Sequence, residues 1–169
     1  GNEIECSSEI ETTNYYIRQG KTVAIKGLGG FHLACDPFNK DAVLKLRNKK
    51  KRDEKPFALM MPDIETIKEF CYLDDQEEQL LSSPQRPIVL LRKRDDSKSI
   101  AEEVAPNNIY LGVMLPYTPL HYLLFQGDVK ALVMTSANIS DEPICFNNTE
   151  AIKRLHNIAD YFLMHNRDI

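Results

Sequence analysis

Six short apolar runs, none longer than six residues, punctuate this chain: Thr22–Ile25, Phe57–Met61, Ile88–Leu91, Tyr110–Leu115, Ala131–Met134 and Tyr161–Met164. Runs of this length suit buried strands and fall well short of the roughly 18 apolar residues a membrane-spanning helix needs. Helix signals lie between them. Ser8 to Arg18 has helical character and stops at Gly20, while Asp36-Pro37 and Thr118-Pro119 each pair a capping side chain with a proline suited to the first helical turn. Ala42, Val43 and Leu46 recur at helical spacing, so the second helix is expected to open at Asp36-Pro37 and fade near Asn48. Further helices are expected over Ile64–Phe70, Asp74–Leu81, Thr118–Phe125 and Thr149 to His156. Strands alternating with short helices predict an α/β, or mixed α+β, sheet with helices packed on it. At 169 residues, one domain is the default. Asp95–Ala105 shows little pattern and is expected to be a mobile loop. The sequence stops at Arg167-Asp168-Ile169, directly after a strand, which predicts a segment cut from a longer polypeptide.

The net charge of −4 argues against nucleic-acid binding through bulk charge. Its distribution is uneven. Lys45, Arg47, Lys49, Lys50, Lys51, Arg52 and Lys55 stand against only Asp53 and Glu54, a stretch of +5 on a remainder of −9. A focused cationic site of this kind suits a compact polyanion such as a nucleotide better than a long duplex. A solvated helix end complementing its dipole is the structural alternative. The four cysteines, Cys6, Cys35, Cys71 and Cys145, show no CxxC pair and no zinc-ligand spacing, so buried free thiols in a reducing compartment are expected, and no metal site. With no basic-then-apolar start, the expected address is cytoplasmic.

Two i,i+2 pairs carry the candidate chemistry, Lys50-x-Arg52 and Ser136-x-Asn138, both expected outside helices. In extended backbone such pairs point the same way. An ammonium and a guanidinium suit a polyphosphate, and a hydroxyl with an amide adds neutral hydrogen bonds to phosphate or ribose. The loop after Met134 lies beyond the end of a strand, where open α/β sheets bind ligands. Gly27-Leu28-Gly29-Gly30 lacks both the Gly-Lys-Ser/Thr ending of a P-loop and the third glycine of a dinucleotide fingerprint, where His32 stands. A tight strand exit explains it, with Lys26 and His32 as flanking ligand contacts. His121 sits among leucines and is expected to be structural.

Taken in order, Lys26–Leu33, Lys50–Met60, Gly112–His121, Thr135–Asn138 and His165–Ile169 resemble the YrdC-like domain of the HypF hydrogenase-maturation carbamoyltransferases, within the YrdC/Sua5 superfamily. The resemblance spans about Ile10 to Ile169 and implies a twisted open mixed sheet lining a large concave nucleotide site. It implies ATP and Mg2+ as ligands, and carbamoyl phosphate as the source of the carbamate that is adenylated. It further implies transfer of the carbamoyl group to the C-terminal cysteine of HypE through the full-length protein. Lys50 and Arg52 take the catalytic role, and Ser136, Asn138, Lys26, His32, Thr135 and Arg167 the nucleotide-binding one, with Lys51 or Lys55 able to share the phosphate contact. The transfer-RNA branch, which makes threonylcarbamoyl-adenylate, is one alternative. It usually has arginine where Met114 stands and a Thr/Tyr-rich loop where this chain has Gly27–Phe31. A double-stranded RNA-binding module is the other, and the acidic remainder of the chain counts against it.

Overall fold

The computed structural model describes residues 3–95, 99–138, 144–145 and 147–167. Asp168 and Ile169, the end of the fifth motif, lie outside the described residues. Seven strands, β1 (Val23–Lys26), β2 (Phe31–Cys35), β3 (Ala58–Met60), β4 (Val89–Arg92), β5 (Tyr110–Met114), β6 (Leu132–Ser136) and β7 (Tyr161–Leu163), form one mixed sheet. Its order is β4-β5-β3-β6-β2-β1-β7. The β1–β7 and β3–β5 pairs are parallel and the other pairs antiparallel.

The helices are α1 (Glu9–Arg18), α2 (Lys40–Lys50), α3 (Ile64–Phe70), α4 (Asp75–Ser82), α5 (Pro119–Leu124) and α6 (Asn148–Leu155). Because successive strand side chains point to opposite faces, the sheet buries two apolar layers. Leu33 and Val133 pack with Ala42, Val43 and Leu46 of α2, Ile67 of α3, Leu81 of α4 and Leu155 of α6. Ala34, Leu132 and Met134 pack on the other side with Ile17 of α1 and Leu124 of α5.

Local capping chemistry sets most helix starts. Ser8, Asp63, Asp74 and Thr118 each accept a backbone N–H three residues on, and Gly20 takes φ 74° after α1. The second helix departs from expectation at both ends. Asp36 closes a turn onto the Phe38 N–H (2.9 Å), and Asn39 caps α2 instead. The helix then runs through Lys50 because its buried face, Ala42, Val43, Leu46, Arg47 and Lys50, extends past the apolar residues. Asn147, not Thr149, caps α6.

Two further expectations are corrected. Strand β2 carries no polar–apolar alternation and was not anticipated, yet it lies between β1 and β6 with Phe31, Leu33, Ala34 and Cys35 fully buried. The Asp95–Ala105 stretch is not simply a patternless loop, since Glu102–Val104 forms a 3-10 turn with Val104 and Ala105 sealed in the core. Cys35, Cys71 and Cys145 are buried free thiols, whereas Cys6 is exposed. No described helix is long and apolar enough to cross a membrane.

Candidate functional site

The Lys-x-Arg pair is built on a helix terminus, not on extended chain. Lys50 is the last residue of α2, and Lys51 turns the chain in the left-handed conformation (φ 50°, ψ 46°) that usually falls to glycine. The Arg52 N–H closes that turn onto the Arg47 carbonyl (3.1 Å). The main chain reverses between Lys50 and Arg52, so both cations leave the helix end together.

Lys50 is 5% exposed and reaches the end of β6. Its Nζ donates to the Ser136 carbonyl (2.7 Å), the Asn138 carbonyl (2.8 Å) and, more loosely, Asn138 Oδ1 (3.4 Å). Ser136 Oγ donates to the same Asn138 Oδ1 at 2.7 Å, so the two side chains of the Ser-x-Asn pair do point the same way. Lys50 and the Ser136–Asn138 pair, remote from it in sequence, therefore converge at one end of the sheet. Arg52 sits alongside, its Nε on the Lys55 carbonyl (2.9 Å), its Nη2 on the Pro56 carbonyl (2.7 Å) and its guanidinium over the Phe57 ring. Pro56 and Phe57 lead into β3, which runs antiparallel beside β6.

The electrostatics of this corner are unfavourable to its own charges. Burial, with the Arg52 charge adding to it, pulls the Lys50 ammonium down to about 8. Burial and the neighbouring Arg47 also lower Arg52. Among the described residues, neither Lys50 nor Arg52 forms a salt bridge to a carboxylate; both are held by neutral oxygens alone. Cations that repel one another and rest on neutral oxygens would be relieved by an approaching anion.

The secondary candidates take different places. Lys26 is 3% exposed, and its Nζ bonds the carbonyls of His165 (3.2 Å) and Arg167 (2.7 Å), tying the segment after β7 to the end of β1. Arg167 itself is exposed, and Thr135 is buried opposite Leu33, on the face away from Ser136. Lys51 and Lys55 are exposed at the rim. His32 pairs with Ser136 across the β2–β6 ladder, and its Nε2 lies 3.5 Å from the Tyr117 hydroxyl. A Cβ at Gly27 would sit 3.1 Å from His32 Nδ1, so the bare glycine leaves room for that ring. The tight exit is a hairpin closed by the Gly27 N–H on the Gly30 carbonyl (2.8 Å). His121 is fully buried, as its leucine neighbours predict, with Nδ1 accepting the Tyr117 N–H (3.4 Å) and burial holding its pKa down to about 4.

Sequence reasoning passed over Arg47, counting it only in the basic run, although it is buried directly beneath the Arg52–Lys55 segment. The signal available was its position among the apolar residues of the α2 face. Among the described residues, no cluster of three His, Cys, Asp or Glu side chains is placed to hold a metal.

The family model described as "Telomere recombination", covering Sua5, YciO and YrdC proteins, matches residues 15–169. Carbamoyltransferase HypF2 of Cupriavidus necator is 47% identical over the whole of this chain, which covers 23% of that protein. The crystal structure of full-length HypF in its phosphate- and nucleotide-bound form superposes with a TM-score of 0.91 at 49% identity, over 98% of this chain and 26% of that one. A threonylcarbamoyl-AMP synthase of Vibrio parahaemolyticus is 28% identical over 82% of this chain and 77% of its own length. The chain thus spans about a quarter of the length of the carbamoyltransferases it matches.

Proposed function

This chain belongs to the Sua5/YciO/YrdC family, and from that premise we propose that it is the nucleotide-binding, adenylate-forming domain of a HypF-type carbamoyltransferase. Its substrates are ATP and carbamate derived from carbamoyl phosphate, and its product is carbamoyl-adenylate. In the longer protein the carbamoyl group passes on to the C-terminal cysteine of HypE. The observation that carries the reading is the Lys50–Arg52 pair, two cations with no carboxylate partner among the described residues, of which Lys50 reaches the Ser136–Asn138 segment.

A carbamate oxygen bonds to the α-phosphorus of ATP as the bond to pyrophosphate breaks. Such chemistry rests on positioning and charge neutralisation, and no protein nucleophile is required. Lys50 and Arg52 hold the triphosphate and offset the charge that gathers on the departing pyrophosphate. Lys50 gives up only its weakest bond, the 3.4 Å contact to Asn138 Oδ1, to reach a phosphate oxygen. Ser136 and Asn138, joined to each other at 2.7 Å, turn their hydroxyl and amide toward the α-phosphate or ribose by exchanging that bond for one to the ligand. His32 and Arg167 are secondary contacts; Lys26 acts through the exit segment it holds, and Thr135 through the packing behind Ser136. The described groups here are cations, a hydroxyl and an amide, which offer a divalent ion no carboxylate ligand, so Mg2+ would enter as part of the ATP substrate and would supply charge neutralisation there.

Met114 favours carbamate over threonine as the group adenylated. It lies in the apolar layer with Met60 and Met134, where the transfer-RNA branch usually supplies an arginine. Threonine-dependent pyrophosphate release would establish the other reading. The direct test is calorimetric titration of the chain with ATP and Mg2+, repeated on Lys50→Ala. Saturable binding that weakens at least about tenfold, the equivalent of one 1.4 kcal/mol contact, is expected; equal affinity of the two proteins would overturn the assignment.

A further inference from the structure

We infer that Arg47 is a positioning residue that sets the nucleotide affinity of the site by acting through Arg52. This rests on the nucleotide-binding reading above. The Arg47 side chain is 5% exposed, and a guanidinium has five N–H donors in one plane. All five are used, and every acceptor is a main-chain carbonyl. Nη1 donates to Arg52 (2.9 Å) and Asp53 (3.1 Å), Nη2 to Lys55 (3.3 Å) and Val104 (3.2 Å), and Nε to Glu103. Three of those carbonyls belong to the four residues that carry Arg52 toward β3. The other two belong to the 3-10 turn, whose Val104 carbonyl also takes the Phe57 N–H (2.8 Å).

Arg52 is fixed by Arg47 at both of its main-chain polar groups, since its N–H donates to the Arg47 carbonyl and its own carbonyl accepts from the Arg47 side chain. The two guanidinium groups also share the Phe57 ring, at 4.8 and 5.1 Å from its centre. A segment of Arg52, Asp53, Glu54 and Lys55 has no regular structure of its own to hold it. The Arg47 fork substitutes for that structure and defines where the Arg52 side chain starts. The arrangement requires arginine, because an ammonium has three donors and no planar fork. Arg47 adds a second effect through its charge, which lowers the pKa of Arg52 and leaves that corner in greater need of an anion.

The test is a double-mutant cycle on ATP affinity in the presence of Mg2+, using the chain, Arg47→Lys, Arg52→Ala and the double variant, with thermal unfolding measured on each. Titrations are run well below every midpoint. Arg47→Lys is expected to weaken ATP binding about tenfold in the parent and to cause no further loss once Arg52 is alanine, while lowering the unfolding midpoint in both backgrounds. Equal weakening in both backgrounds would show that Arg47 contributes only general stability or direct charge, and would overturn the inference. An Arg47→Lys chain that binds ATP like the parent would overturn it too. Should Arg47→Lys not fold, Arg47→Gln, which keeps two N–H donors, takes its place in the same cycle. Unchanged ATP affinity in Arg52→Ala alone would instead remove the functional reading beneath the inference, so the two failures are separable.

Discussion

The two sides of helix α2 spend similar cations in opposite ways. On one side Lys45 and Lys49 converge on Asp160, at 2.9 and 3.7 Å, and Lys49 also bonds the Ile158 carbonyl. These charges are neutralised, and Asp160 also accepts the Thr22 N–H, joining the helix to the β1–β7 edge. On the other side Arg47, Lys50 and Arg52 meet oxygens that carry no formal charge. The Lys45 and Lys49 charges are compensated by a carboxylate, whereas those of Lys50 and Arg52 rest on neutral carbonyls and stay uncompensated among the described residues. A tally of basic residues along the run cannot separate these two uses.

The contrast is sharpest if Arg52 is removed. In a full-length HypF-type protein carrying this segment, Arg52→Ala should reduce carbamoyl-phosphate-dependent ATP–pyrophosphate exchange by about 10²–10³-fold, the loss of roughly 2.7–4 kcal/mol seen when one donor to a developing charge is deleted. Near-normal exchange would erase the distinction drawn here.

Next comes pH. With Lys50 held down to about 8 in the free chain, a bound phosphate should draw a proton back onto its amine. ATP affinity should therefore fall as pH rises above 8, by up to about tenfold per unit, with proton uptake visible as a dependence of binding heat on buffer ionisation. The stability sign is opposite. The folded chain loses this proton before the unfolded one does, so unfolding takes up a proton between about 8 and the ordinary 10.5, and Lys50's contribution to stability rises across that window. An ATP affinity flat from pH 7 to 10 would contradict the role given to Lys50.

A smaller effect is expected on the paired side. Asp160→Asn removes a partly buried ion-pair cluster while keeping an oxygen for Thr22, and should cost about 1 kcal/mol, a fall of about 2–4 °C in the unfolding midpoint, with ATP affinity unchanged. Weakened ATP binding in this variant would mean that the two sides are coupled. Smallest is Lys51→Gly, which relieves the left-handed lysine and should stabilise the chain by about 0.5 kcal/mol in chemical denaturation.

Local chemistry was legible. The Thr118-Pro119 cap announces its helix because capping involves side chains within three or four residues, while at α2 and α6 the nearby Asn39 and Asn147 take the role expected of Asp36 and Thr149. Strand β2 was not, since Phe31–Cys35 is buried on both faces, shows no period of two and includes Ala34 and Cys35, so only its neighbours β1 and β6 identify it. The end of α2 was misplaced because the residues from Lys49 onward offer no apolar repeat; what keeps Lys50 helical is its reach to Ser136 and Asn138, across 86 and 88 residues. The direction shared by Ser136 and Asn138 could be read from their spacing. Their meeting with Lys50 could be anticipated only from likeness to a family, and the clamp at Arg47 not even from that.

The seam between β1 and β7 has a consequence for how the molecule is made. The Thr22 N–H and its Asp160 acceptor stand 138 residues apart, and Lys26 waits as long for the carbonyls of His165 and Arg167. A ribosome delivers β1 first and β7 last, so Lys45 and Lys49 stay without their counterion, and the edge of β1 without its neighbour, until this stretch is almost fully translated. Contacts this distant along the chain slow folding. The nascent segment thus carries Lys45 and Lys49 without their carboxylate until Asp160 has been translated.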